Sequence, residues 1–174
     1  MTALVQPLKW HGGKKYLADK IIGLMPSRCK TPNAPKPDDD GWLHYVEPYF
    51  GGGAVLLAND PEGTSEVAND LNGELMNFWR TLQCETGFNQ LKRILESVPF
   101  SQVEFEESQE MGIKSAHGYG HSIHQAALFF IRCRQSLSGR MKGFAGITRN
   151  RTRRGMNEQV SAWLNATSWP PCCA

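Results

Sequence analysis

The apolar positions first recur at helical spacing over 16–25, where Leu17, Ile21 and Leu24 share a stripe and Pro26 follows the end. The stretch 27–41 is polar, carries Pro32, Pro35 and Pro37, and closes on Asp38-Asp39-Asp40-Gly41, which is loop composition. Residues 43–47 read as a short buried strand running into a glycine-rich turn, and 53–58 as the first turns of a helix behind that turn. Asp60-Pro61-Glu62-Gly63 is turn chemistry, and 66–68 form a second brief strand ending at Asn69-Asp70. After that the period changes. Leu75, Met76, Trp79 and Leu82 make one helical stripe, Leu91, Ile94 and Leu95 another, and 122–135 is helix-like. Residues 136–157 are a Gly- and Arg-rich loop, no strand signal of any strength follows residue 70, and nothing repeats. A strand, a glycine turn, a helix and a second strand ending in an acid make half of a doubly wound nucleotide-binding unit. A mostly helical module follows it.

Charge sharpens this division. The net charge of +2 hides a segregation: residues 1–110 hold 10 basic and 16 acidic side chains, a net of −6. Residues 111–157 hold Lys114, Arg132, Arg134, Arg140, Lys142, Arg149, Arg151, Arg153 and Arg154 and no acid, a net of +9. Such a block is the footprint of a phosphate-binding surface, or else a solvated face or a basic arm. A length of 174 residues fits one domain, or one with a small appendage, and buries a core without staples. The longest apolar runs, such as 125–131, are too short to cross a bilayer, and no secretory signal opens the chain, so a cytoplasmic location is expected. Five cysteines (Cys29, Cys84, Cys133, Cys172, Cys173) lie at scattered positions and read as free thiols, Cys133 as a core residue. His117, His121 and His124 lie in a glycine-bearing stretch without a neighbouring carboxylate or cysteine, so a polar linker is expected and no metal. Glu104, Glu106, Glu107 and Glu110 read as a solvated helix face.

Three motifs carry the chemistry. The turn Val46-Glu47-Pro48-Tyr49-Phe50-Gly51-Gly52-Gly53-Ala54 places glycines where a backbone approaches a ligand closely. Asp70 lies 19 positions beyond Gly51, where an acid ending the second strand reaches ribose hydroxyls. Upstream, Leu8-Lys9-Trp10-His11-Gly12-Gly13-Lys14 offers an aromatic plate and a cation on a compact loop. A dinucleotide-dependent oxidoreductase is the rival reading; its third glycine should fall at 56, which is Leu56.

Lys9-Trp10-x-Gly12-Gly13-Lys14, then Glu47-Pro48-Tyr49-x-Gly51-x-Gly53, then Asn69-Asp70-x-Asn72 closely resemble the Dam-like family of N6-adenine DNA methyltransferases, well over 7–83 and more loosely over 122–157. The resemblance implies an α/β fold, a partial Rossmann-like methyltransferase core with a mostly helical basic appendage. It implies a cofactor-binding part at 1–88, a DNA-recognition region at 89–167 and a tail at 168–174 unlike the family. Trp10 and Lys14 would hold S-adenosylmethionine, Lys14 nearest its carboxylate. The segment from Glu47 through Pro48, Gly51 and Gly53 would wrap the methionine and ribose portions, and Asp70 would take the ribose hydroxyls. Arg132, Arg134, Arg140, Lys142, Arg149, Arg151, Arg153 and Arg154 would face double-stranded DNA, with Gln135, Asn150 or Asn157 as readers of an adenine edge.

One departure matters. The family's Asp-Pro-Pro-Tyr type tetrad, which grips a flipped adenine, is absent. Asp60-Pro61-Glu62-Gly63 lacks the second proline and the aromatic residue, and in Trp169-Pro170-Pro171-Cys172 an indole accepts no hydrogen bond. The expectation is a truncated or frame-shifted member, of restriction–modification type or otherwise, inactive alone. A non-catalytic binder of cofactor or DNA, acting alone or with a partner that supplies the tetrad, is the alternative.

Overall fold

The computed structural model describes residues 6–26, 41–114, 122–146, 152–153 and 156–167. The chain divides into two compact units, one of Met1–Gln6 with Gly12–Leu71, the other of Pro7–His11 with Asn72–Ala174.

In the first unit a 3-10 turn at Lys15–Leu17 leads into helix α1, Ala18–Gly23. Its apolar stripe is shorter than the spacing of 16–25 suggests, since Leu24 is 78% exposed and lies past the helix end. Strands β1, His44–Glu47, and β2, Ser65–Ala68, pair in parallel with Val46 opposite Val67 and Glu47 opposite Ala68. The buried strand expected at 43–47 is half-solvated instead. His44 and Val46 alternate outward with Tyr45 and Glu47 half-buried, and Val46 and Val67 are 58% and 50% exposed. Residues 53–58 also fall short of the expected helix: they close one 3-10 turn, Leu56–Ala58, and Asn59 is already extended. The proline at 61 explains the stop, because its ring disfavours a helical conformation at Asp60.

The second unit holds the helices α2 (Gly73–Gln83), α3 (Glu85–Ser97), α4 (Gln102–Lys114), α5 (Ile123–Gln135) and α6 (Glu158–Thr167). Asn72 caps α2, its side chain accepting from the Leu75 N–H at 3.1 Å, and Ser122 caps α5 in the same way through Gln125. The α5 cap is tied to α2, where Asn77 donates to the Ser122 carbonyl and accepts from its N–H. Helix α5 is the hub, packed by α2, α3, α4 and α6, and every residue of 126–131 is buried. Phe78 is wholly buried against Phe129 and Phe130, its ring stacked 5.7 Å from the latter, with Leu75, Leu91 and Leu95 around it. Each such side chain contributes about 2–3 kcal/mol by leaving water, so this cluster holds the unit together. A small antiparallel pair, β3 (Thr152–Arg153) with β4 (Met156–Asn157), stands where the sequence signals no strand; two residues are too few for an alternation to register. The molecule is thus a mixed fold of many helices and a small parallel sheet.

Candidate functional site

In the first unit the main chain itself brings two of the motifs together. The Asn69 N–H donates to the Glu47 carbonyl at 3.0 Å, and the Phe50 N–H donates to the Asn69 carbonyl at 2.9 Å, extending the parallel ladder past both strand ends. The next amide, Gly51, then donates to Asp70 Oδ2 at 2.9 Å. A turn closed by Gly53 N–H to the Phe50 carbonyl, 3.0 Å, follows, with φ of +53° at Gly51 and +70° at Gly53. Only glycine adopts those angles cheaply. Gly51, Gly52 and Gly53 are buried, Pro48 and Tyr49 exposed, and Phe50 turns inward as the anchor. Asp70 therefore braces the glycine turn, a role that the 19-residue spacing did not disclose.

Glu47 sits at the end of β1 beside this turn. Burial pushes its carboxyl up from the ordinary value, opposed by the Tyr45 hydroxyl, by a backbone hydrogen bond from Leu56 and by the Lys14 ammonium. The Tyr45 hydroxyl donates to Glu47 Oε2 at 3.3 Å. The phenol itself is pushed up to about 12, by burial first and then by the carboxylates of Glu47 and Glu66. Lys14 is exposed and lies near enough to bias Glu47. The first unit so brings Glu47, Pro48, Gly51, Gly53 and Asp70 together at one strand end, with Lys14 within electrostatic reach of Glu47.

Trp10 belongs to the second unit, where Leu8 is buried in the core and the Trp10 ring packs on Phe129 with centroids 6.1 Å apart. Lys9 donates to the Ser136 carbonyl at 3.4 Å. The basic residues divide into two kinds. Arg132 pairs with Glu74 at 2.5 Å, keeps its side chain 11% exposed and donates from Nε to the Leu128 carbonyl. Arg134 reaches the Ala162 carbonyl at 3.3 Å and lies 5.9 Å over the Phe130 ring; burial pulls its guanidinium below the usual value. Both are braces between helices of the second unit. Arg140 and Lys142 are exposed on the loop after α5. The backbone of Arg153 lies in β3, while Arg149, Arg151 and Arg154 lie outside the described residues.

Gln135, one of the three expected readers of an adenine edge, is corrected by the structure. It is 0% exposed, accepts from the Ser101 N–H and donates to the Pro99 carbonyl, so it ties 99–101 to α5. Asn157 lies in β4 and Asn150 outside the described residues. Cys133 is a core thiol whose pKa burial raises to about 12. Glu106, Glu107 and Glu110 face solvent on α4, with Glu104 half-buried. Among the described residues no group of His, Cys, Asp and Glu is placed to hold a metal, and His117 and His121 lie outside them. No described helix is long and apolar enough to cross a membrane.

Residues 10–140 match the family model of the D12 class N6 adenine-specific DNA methyltransferases. The chain belongs to that family. The matched span contains the glycine turn, Asp70 and the whole of α5. Among known proteins the chain is similar to the Type II methyltransferase M1.LlaDCHI of Lactococcus lactis subsp. cremoris, 35% identical over 75 residues that cover 43% of this chain and 21% of that protein. It is 31% identical over 100 residues to the Type II methyltransferase M.MjaIII of Methanocaldococcus jannaschii, covering 56% and 30%. The DNA N-6-adenine-methyltransferase of Escherichia phage P1 is 31% identical over 77 residues, 44% of this chain and 8% of that protein. The matched stretches thus cover less than a third of the length of each of these relatives. The family resemblance read from three short motifs is borne out, and a D12-class reaction requires a methyl donor.

Proposed function

We propose that this D12-class chain binds S-adenosylmethionine and contributes the cofactor-binding part of an enzyme that methylates adenine N6 in double-stranded DNA. The observation that carries the reading is the hydrogen bond from the Gly51 N–H to Asp70, because it holds a strand-end carboxylate beside a buried glycine turn. The residues present suit the cofactor's chemistry. Asp70 supplies an acceptor for vicinal hydroxyls, and Lys14 is an exposed cation suited to an α-carboxylate. Glu47 and Pro48 flank the same turn. Trp10 is assigned to the cofactor on the strength of its motif, and the parallel β1–β2 pair with its glycine turn is read as the opening of a Rossmann-like core. When bound, S-adenosylmethionine supplies an electrophilic methyl group. This chain's residues bind and orient it; the tetrad that would grip the adenine is not among these 174 residues, so methyl transfer draws on residues beyond them.

Residues 1–88 are taken as the cofactor part and 89–167 as the DNA-recognition region. Duplex DNA is contacted through Arg140 and Lys142, with Arg149, Arg151, Arg153 and Arg154 following in the same basic stretch. Titration of the chain with S-adenosylhomocysteine and, separately, with NAD tests the reading. Saturable binding of the first and none of the second is expected; the reverse would return the chain to the oxidoreductase class.

A further inference from the structure

The loop after α5 passes repeatedly through the left-handed region, twice at residues that carry side chains. Of the six residues 138–143, four have positive φ: Ser138 at 56°, Gly139 at 68°, Met141 at 55° and Gly143 at 72°. Side-chain-bearing residues enter that region at a cost, and such strain survives where surrounding contacts over-determine it. Here they do. The Leu137 N–H donates to the Gly143 carbonyl, the Met141 N–H to Ser136 Oγ at 2.9 Å, and the Ala145 N–H to the Gln135 carbonyl at 2.8 Å. Gln109 of α4 donates to the Met141 carbonyl at 2.9 Å, and Ser136 bridges to Phe144. The charged side chains on this braced loop, Arg140 and Lys142, point to solvent.

Gly139 ties the loop to a second segment. A Cβ there would overlap the Lys9 carbonyl oxygen, stand 2.8 Å from the carbonyl carbon and come within 3.4 Å of the His11 nitrogen. This is backbone against backbone, so no rotamer change relieves it. The Lys9 ammonium closes the same junction from the other side by donating to the Ser136 carbonyl. Lys9 is followed by Trp10, which rests on Phe129 of α5.

We propose that Gly139 is a positioning residue: it joins the 136–145 loop and the Pro7–His11 segment into one body, so that a DNA phosphodiester engaged by Arg140 and Lys142 fixes Trp10. The inference rests on the reading of those two side chains as phosphate contacts. It adds that duplex binding is felt at the N-terminal motif.

The test uses the full chain, a short adenine-containing duplex as probe, and Gly139→Ala beside Gly143→Ala. Both substitutions impose an unfavourable φ, but a methyl at 143 meets nothing within 4 Å. Duplex affinity is read by fluorescence anisotropy, and amide hydrogen exchange is followed at residues 8–11 with and without duplex. In the unaltered chain and in Gly143→Ala, duplex is expected to slow exchange there about 10-fold. In Gly139→Ala the slowing disappears while the duplex still binds. Should Gly139→Ala fail to fold, Lys9→Met carries the test, because it removes the side-chain tie and keeps the backbone fit; a slowing cut to about 3-fold is then expected. Full protection in whichever of these two variants folds overturns the proposal, as does an unaltered chain that binds duplex without protecting 8–11. A chain that binds no duplex at all brings down the phosphate reading itself, and the joint with it.

Discussion

Asp70 has two separable tasks, and substitutions at this one position tell them apart. Its Oδ2 accepts the Gly51 N–H at 2.9 Å, and its carboxylate charge is the feature assigned to ribose hydroxyls. A hydrogen bond to a charged acceptor contributes about 1.5–3 kcal/mol. Asp70 is half-buried, so solvent competes for the amide and the lower end applies. Asp70→Ala should therefore weaken local protection of β1 and β2 by about 1–2 kcal/mol. Asp70→Asn keeps an acceptor oxygen at the same position and should lose about half of that. For ligand binding the order differs, because an amide is uncharged and has one acceptor oxygen, shared with the Gly51 N–H, where the carboxylate has two. Asp70→Asn should raise the Kd for S-adenosylhomocysteine about 10- to 100-fold, or about 1.4–2.7 kcal/mol, nearly as much as Asp70→Ala. Hydrogen exchange at 44–47 and 65–68 reads the brace, and titration calorimetry reads the ligand. If Asp70→Asn binds as tightly as the unaltered chain, the ribose role is refuted. If Asp70→Ala leaves exchange in both strands unchanged, the hydrogen bond is geometry without energetic weight.

Four further outcomes follow from the same geometry. Glu74→Ala leaves the Arg132 guanidinium, 11% exposed, without its carboxylate, and should lower stability by about 2 kcal/mol, below the range for a fully buried pair because Glu74 is 40% exposed; an unshifted urea midpoint would contradict it. Ser138→Gly relieves a φ of 56° at an exposed position and should add about 0.5–1 kcal/mol, seen as a higher Tm. Glu47 has its folded pKa above the ordinary 4.5, so the folded state holds its proton more tightly than the unfolded one, and stability falls as pH rises from that value through the raised pKa. Glu47→Gln should abolish that decline and raise the neutral-pH Tm while weakening cofactor binding; a Tm drop at pH 7 would reverse the sign of the argument. Arg140→Ala combined with Lys142→Ala should reduce the slope of log K against log salt for duplex binding by about 2, one phosphate contact each, whereas Arg134→Ala should leave the slope alone and lower the Tm.

The helical half was legible in the sequence because its stripes are long. Leu75 and Leu82 on α2, and Leu91 and Leu95 on α3, recur at the spacing that a buried face demands, and both faces are buried. The strands were located from the glycine turn and the terminal acid more than from their own composition. Their burial is not legible, because a run such as Leu43-His44-Tyr45-Val46 reads the same with one face solvated or both covered. Residues 53–58 carry helix-forming Leu56, Leu57 and Ala58, yet the Asp-Pro step at 60–61 cuts them to one turn. The site's glycines and Asp70 were visible as types at a spacing. That Asp70 bonds Gly51 was not, since it depends on the parallel register of Glu47 with Ala68, which no local pattern encodes.

The arginines show what a charge count leaves out. Nine basic residues without an acid over 111–157 look like one surface, yet Arg132 and Arg134 are internal braces while Arg140 and Lys142 face solvent. The distinction was written in the neighbouring residues. Ala126-Ala127-Leu128-Phe129-Phe130-Ile131 is apolar on every side of a helix, and such a helix has to be covered all round. Charges in its last turn must then find partners within the protein or drive it apart. The partner for Arg132 is 58 positions upstream, on the first turn of α2, where a carboxylate also suits the helix dipole. Gly112 of α4 completes the fit, since a Cβ there would stand 2.7 Å from the Arg132 guanidinium. Past Gln135 the chain leaves the helix, the requirement for internal partners lapses, and the next cations are released to solvent. The solvent-facing cations of this stretch therefore begin where the buried helix ends.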